Sequence, residues 1–309
     1  MIGEKVISAL QAYMGKDISI AFCPYKYSMW DSMESVYLAA KDAGLITSII
    51  PLDYKTVPDN QWHNESKYFP YPTDDLDALR TCKWDVIVIH YPYNARNNVT
   101  QLPEHEWVEN LKHYGKVCYI PYHGNIAGTQ WGRFYTSPGA TDSDFVVLGS
   151  QLDYDVFMLN AKGFHGKVIL PGGSPKEDAA IIHAKYEIPL EWRDHKQPYT
   201  VVIGTLHTFT RDPYERMHKH GSIIERELAQ DHTVIYRPHP LVYPAIQAMR
   251  PEALKEYEDF LDELQSMGVI IDAQPNLHRT LSAADYVYMD PSSVNKTYAA
   301  YNRPFEVIT

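Results

Sequence analysis

The segment Tyr236-Arg237-Pro238-His239-Pro240-Leu241 places a cation and an imidazole between prolines, directly after an apolar run. Proline fixes φ, so the backbone presents both side chains in set directions. An arginine fork can grip a phosphate bidentately; a histidine can donate to it or move a proton near neutral pH. A second segment, Asp290-Pro291-Ser292-Ser293-Val294, also follows an apolar run and opens a helical pattern. Two hydroxyls and the N–H groups of a helix start form an anion site, although Ser and Asp are equally favoured there as plain N-caps. A third segment, Gly204-Thr205-Leu206-His207-Thr208-Phe209-Thr210-Arg211-Asp212-Pro213, adds hydroxyls, a His and an Arg, with Thr205 and Arg211 as candidates. The three together suit a phosphate-bearing ligand.

The first half carries weaker signals. An apolar run ends in Tyr122-His123-Gly124-Asn125, where a glycine beside a histidine allows close approach of backbone to substrate. Another run leads through Gly172-Gly173-Ser174 into Pro175-Lys176-Glu177-Asp178, a glycine turn with a helix start at the proline. Residues Lys26 to Asp31 follow the first run. A lone His at such a place is more often structural than catalytic.

Several familiar patterns are missing. The chain has no GxGxxG, GxxxxGK[ST] or HExxH, and Ser292 and Ser293 lack a GxSxG setting. Asp-x-Asp occurs at 75–77, 142–144 and 153–155, so often in an acidic chain that it reads as solvated loop. No metal site and no cofactor is predicted.

All these segments sit at the ends of short apolar runs, and the runs define the elements that must hold them. Eleven strands are predicted: Ile18–Cys23, Ile46–Leu52, Val86–His90, Val117–Pro121, Phe145–Gly149, Val168–Pro171, Thr200–Gly204, Thr233–Tyr236, Val269–Ile271, Tyr286–Met289 and Phe305–Ile308. Helical patterns lie between many of them, at 28–43, 75–79, 155–161, 175–187, 214–228, 253–267 and 294–301. In the sixth, Leu254, Tyr257, Leu261 and Leu264 make one apolar stripe. Strand and helix in alternation predict parallel sheets flanked by helices, with ligands outside the carboxyl ends of the strands. A polar, proline-bounded stretch at 188–198 divides six strands from five. The expected α/β architecture is therefore two Rossmann-like domains facing each other across a cleft, residues 1–190 and 191–309. The last run ends one residue before the chain does, so the second domain reads as minimal or truncated.

Composition agrees. The 309 residues suffice for about two domains, and 45% hydrophobic with 22% charged residues excludes a disordered or fibrous chain. A net charge of −11 argues against nucleic acid as the partner. The 24 tyrosines suit aromatic-lined clefts or ordinary strands. Three cysteines without CxxC spacing read as buried free thiols in a reducing compartment. There is no signal-peptide core and no run of membrane-spanning length, which predicts a cytoplasmic protein; peripheral membrane association stays open.

The order of these segments resembles the CDP-glycerol glycerophosphotransferase (teichoic-acid polymerase-like) family of GT-B fold. Residues 236–241 and 284–304 are similar to its Arg-Pro-His-Pro segment and to its Asp with paired serines before a helix. Residues 171–178 resemble its Gly-x-Pro-Arg-x-Asp turn, with Lys176 where Arg is usual, and 122–128 its His-Gly-Thr segment, with Asn125 for Thr. The resemblance implies an N-terminal acceptor domain and a C-terminal nucleotide-donor domain. It implies that His239 and Arg237 hold the donor diphosphate, that Ser292 and Ser293 bind its phosphates, and that His123 is the general base. Thr205 and Arg211 join the donor set, and Lys176, Asp178 and Gly124 are further substrate contacts. The implied reaction is attack of an acceptor hydroxyl on the β-phosphorus of CDP-glycerol, or a related CDP-polyol, with CMP leaving. Its acceptor would be polymeric or lipid-linked, in cell-surface polymer synthesis. A GT-B glycosyltransferase using a nucleotide sugar, and a non-catalytic relative that binds nucleotide, are the alternatives.

Overall fold

Strands buried on both faces read as continuous apolar runs rather than as alternation, and the predicted strands are of this kind. Val86, Ile87, Val88 and Ile89 are all at most 2% exposed. In the computed structural model, which describes residues 1–56, 60–94, 96–97, 99–124, 135–183, 188–292 and 294–309, all eleven runs form strands of two parallel sheets. The chain divides into two compact units, Met1–Ala179 and Ala180–Thr309. The polar stretch at 188–198, expected as a linker, belongs to the second unit. Trp192 is 3% exposed in that unit's core, and the Tyr199 hydroxyl donates to its carbonyl at 2.7 Å.

The first unit contains β1 (Ser19–Cys23), β2 (Ile46–Ile49), β3 (Val86–Ile89), β4 (Lys116–Tyr119), β5 (Phe145–Val147) and β6 (Lys167–Ile169), in the order β2-β1-β3-β4-β5-β6. All pairings are parallel. Alternate residues serve two cores. Ile20, Phe22, Val86 and Val88 pack with Val6, Ile7 and Leu10 of α1 (Ile2–Met14) and Val36 of α2 (Glu34–Asp42). Ala21, Cys23, Ile87 and Ile89 pack on the other face with Phe157 of α3 (Gln151–Asn160). Helix α1 approaches α2 through Gly3: a Cβ there would lie 2.2 Å from the Ser35 carbonyl oxygen. A small antiparallel sheet, Tyr54–Thr56 with Trp62–His63 and Thr100–Gln101, was not foreseen.

The second unit contains β7 (Tyr199–Gly204), β8 (Thr233–Pro238), β9 (Ile270–Ile271), β10 (Tyr286–Met289) and β11 (Phe305–Val307), ordered β9-β8-β7-β10-β11 and parallel. Its helices include α4 (Leu206–Arg211), α5 (Pro213–Ala229), α6 (Val242–Met249), α7 (Leu254–Ser266), α8 (Leu277–Ala283) and α9 (Val294–Ala299). Strand order reverses between β1 and β3 in the first sheet and between β7 and β10 in the second. Open α/β sheets bind ligands at the carboxyl side of such points. Among the described residues no helix is long and apolar enough to cross a membrane.

Candidate functional site

In the second unit, the ends of three adjacent strands carry Thr205, His239 and Ser292. Hydrogen bonds between the strands bind these ends together. The His239 N–H donates to the Gly204 carbonyl at 2.9 Å, and the Thr205 N–H donates to Asp290 Oδ2 at 2.9 Å. Gly204 is required between them, because a Cβ would lie 2.8 Å from the Phe209 ring and 3.0 Å from the Tyr236 hydroxyl.

His239 has a defined tautomer. Its Nδ1 accepts the Leu241 N–H at 3.1 Å, so the proton of the neutral ring sits on Nε2. The ring is half-buried, and its Nε2 is the donor atom. That suits a phosphate oxygen.

Arg237 does not present its fork to a ligand at the strand ends. It is 4% exposed, and Nη1 donates to Asp272 Oδ2 at 2.5 Å and to Thr280 Oγ1 at 3.0 Å, while Nη2 donates to the Gln274 carbonyl at 2.6 Å. Burial lowers its pKa, and Asp272 opposes that shift. The reason is the two-residue period of a strand. Tyr236 points into the core beneath α5 and α7, so Arg237 points to the other face, toward α8. Arg237 ties β8 to the segment after β9.

The charge at the switch point comes from residues outside the predicted set. Asp290 is fully buried and receives Arg216 Nη1 at 3.2 Å, His220 Nε2 at 3.1 Å, the Thr205 N–H, and the Thr208 hydroxyl. Desolvation works to raise its pKa, but the bonds from His220, Thr208 and Thr205 prevail and hold the carboxyl below its usual range. Arg211 is an exposed residue at the end of α4, whose carbonyl accepts from Arg250 at 2.8 Å. Ser292 acts as a cap: its Oγ accepts the Val294 N–H at 3.2 Å, and Asn295 Oδ1 accepts the Ser292 N–H at 3.2 Å. Ser293 lies outside the described residues, as does Asn125.

In the first unit His123 and Gly124 form the turn after β4, with φ of +73° at Gly124 and its N–H on the Pro121 carbonyl at 3.2 Å. His123 Nδ1 lies 3.2 Å from the Gly124 carbonyl oxygen, which only accepts. The neutral ring therefore carries its proton on Nδ1 and its lone pair on Nε2, the reverse of His239. Burial pushes the imidazole down to about 3, the Lys176 cation working in the same direction.

Lys176 and Asp178 lie in a 3₁₀ turn, Pro175–Asp178. Lys176 Nζ donates to the Tyr122 carbonyl at 3.2 Å and pairs with Asp31 Oδ2 at 3.3 Å. Asp178 is a cap and not an open substrate contact: Oδ1 accepts the Ile2 N–H at 3.1 Å and Oδ2 the Gly3 N–H at 3.0 Å. At the β1/β3 switch point stands His90, fully buried. Its Nε2 accepts the Tyr25 N–H at 3.1 Å, and Nδ1 faces the Met29 carbonyl at 3.1 Å. Burial pushes it, too, to about 3. Beside it the buried Lys26 pairs with Glu65 at 3.6 Å and covers the Tyr54 ring at 3.9 Å. Among the described residues no group of three or more His, Cys, Asp or Glu side chains could hold a metal ion. Cys23 and Cys118 are buried thiols as expected, whereas Cys82 is exposed.

No protein-family model matches the sequence, and no curated protein matches it. Solved structures do match in fold. The chain is similar to UDP-GlcNAc 2-epimerase of Methanocaldococcus jannaschii in complex with UDP-GlcNAc and UDP, with a TM-score of 0.60 and 14% identity over 94% of this chain and 83% of that one. It is similar to S. aureus MnaA in a co-structure with UDP, at 0.59 and 10% over 94% and 79%. It is similar to the wall teichoic acid polymerase TagF, at 0.52 and 14% over 98% and 74%. At these identities the likeness is one of fold, and the fold is GT-B.

Proposed function

We propose that the chain is a transferase that binds a nucleotide-activated donor through its C-terminal unit. We assign the donor as CDP-glycerol or a related CDP-polyol, from which polyol phosphate passes to an acceptor hydroxyl in cell-surface polymer synthesis. The observation that carries this reading is the place of His239, whose neutral ring carries its proton on Nε2, at the end of β8 beside the switch point. When the acceptor oxygen bonds to the β-phosphorus, the bond to the CMP oxygen breaks and the electron pair leaves with CMP. Negative charge grows on that phosphate, and a fixed donor stabilises it. The hydroxyl proton must pass to a base; His123, the base that the resemblance implies, carries its lone pair on Nε2, and that atom is buried in this structure. Arg237 acts in this reading by fixing the strand that carries His239.

A second reading, an enzyme acting on a UDP-linked sugar, is favoured by the TM-scores of 0.60 and 0.59 against 0.52. Thermal melts with CDP-glycerol, CDP-ribitol and UDP-GlcNAc, followed by assays of CMP release and UDP-GlcNAc conversion, separate the two. Stabilisation by a CDP-polyol with CMP release into an acceptor panel is expected. Stabilisation and turnover by UDP-GlcNAc alone would overturn the CDP-polyol assignment.

A further inference from the structure

Lys176 carries the usual signature of a substrate-binding cation, a lysine in a glycine-led turn at a strand end, yet both its contacts are internal. Its ammonium joins the Tyr122 carbonyl at 3.2 Å to Asp31 at 3.3 Å, and Lys176 and Asp31 are 8% and 5% exposed. Tyr122 is the residue before His123. The lysine therefore grips the turn one peptide unit from the imidazole.

The turn that carries Lys176 is itself fastened on three sides. The Ser174 hydroxyl accepts the Lys176 N–H at 3.3 Å, the Ser35 hydroxyl donates to the Pro175 carbonyl at 3.3 Å, and Asp178 caps α1. Gly124 lies beside the same turn: a Cβ there would be in ordinary contact with the Ser174 hydroxyl, at 3.5 Å. Among the described residues the strand-end turn 121–124 has one backbone hydrogen bond of its own, Gly124 to Pro121. Lys176 supplies a second anchor, and Asp31 fixes where that anchor stands.

We propose that Lys176, held by Asp31, is the positioning residue for His123: by pinning the Tyr122 carbonyl it keeps the imidazole facing the Gly124 carbonyl and its lone pair on Nε2. The mechanistic use of that lone pair rests on the reading above; the tautomer does not. A histidine in water prefers its proton on Nε2, so a loosened turn would lose the Nδ1–H form. Lysine suffices because a single carbonyl and a single carboxylate oxygen need a point cation and not a fork.

The test combines selective ¹⁵N-histidine NMR with transfer kinetics on the full chain, the His123 signals being assigned by their loss in His123→Gln. Wild type should show His123 protonated on Nδ1 at pH 7. Lys176→Gln should move the proton largely to Nε2 and slow transfer on the order of 10-fold or more, the scale of a displaced general base. The donor KM should stay within about 2-fold, because the lysine touches no donor group in the proposed scheme. Lys176→Arg, which keeps a cation in reach of the Tyr122 carbonyl, should restore the Nδ1–H form. Asp31→Asn gives a second route to the same loss should Lys176→Gln not fold. A His123 tautomer unchanged in both variants overturns the proposal. Absence of transfer in the wild-type protein overturns the CDP-polyol reading and leaves the NMR result to decide the positioning role.

Discussion

His220 Nε2 stands 3.1 Å from the Asp290 carboxylate, and neither side chain has any exposed surface. Arg216, the Thr208 hydroxyl and the Thr205 N–H also bind the same carboxylate, so one anion joins α5 to the turn after β7. Breaking such a buried pair leaves an uncompensated charge. Asp290→Asn should therefore cost about 3–5 kcal/mol in urea unfolding. His220→Gln, whose amide can still donate, should cost less than His220→Ala. Equal costs would mean that the ring contributes packing alone.

Two substitutions at His239 separate its roles. Asparagine can offer its Oδ1 to the Leu241 N–H as Nδ1 does, yet has no group at the Nε2 position. His239→Asn should keep wild-type stability and lose donor turnover by about 10²–10³-fold. His239→Ala should lose the turnover and, in addition, about 1 kcal/mol of stability from the broken bond. Melting curves and CMP release check both; normal turnover in the asparagine variant removes His239 from the chemistry.

Arg237→Lys is expected to act on stability rather than on donor affinity. A lysine cannot serve Asp272, Thr280 and the Gln274 carbonyl together, so about 3 kcal/mol should be lost. The donor KM measured at a temperature where the variant is folded should be near that of wild type. A raised KM with unchanged stability would return Arg237 to the phosphate.

Stability should peak near pH 6.5. His90 and His123 are pushed from 6.5 to about 3, and burial lowers His207 as well, so below pH 6.5 the unfolded chain binds at least two protons that the folded chain refuses, and stability falls as pH falls. Glu106 is raised by burial from 4.5 to about 8; it opposes that slope by one proton between pH 4.5 and 6.5, and above 6.5 it alone makes stability fall as pH rises toward 8. The net slope on the acid side is about 1.4 kcal/mol per pH unit. Urea midpoints from pH 5 to 8 test it. A Glu106→Gln variant should flatten the alkaline side and steepen the acid side.

The fold was legible because parallel strands buried on both faces announce themselves as apolar runs, and all eleven are found. What lay hidden is what depends on distant partners. Helix α1 carries Val6, Ile7 and Leu10 at helical spacing but went unread. The small antiparallel sheet has strands of two or three mostly polar residues, too short for any period. At the site, the positions of His239 and His123 at strand ends were readable, but their opposite tautomers were not, since each depends on one backbone group. Arg237 was misread because its place beside a proline loop drew more attention than its parity along β8. Asp290 was seen only as part of a serine motif; its partners Arg216 and His220 are 74 and 70 residues away.

The bond between Ile2 and Asp178 spans 176 residues of chain. During synthesis the α1 segment leaves the ribosome long before the carboxylate that completes its N-terminus. Helix α1 can form early, but it reaches its final capped state only after β6 and the following turn have emerged. The same late turn brings Lys176 to Asp31 and Tyr122. A nascent chain stalled between residues 124 and 175 therefore holds an unfastened helix and an unpositioned His123, and the N-terminal unit gains these contacts late, with the slow folding expected of contacts so far apart in sequence.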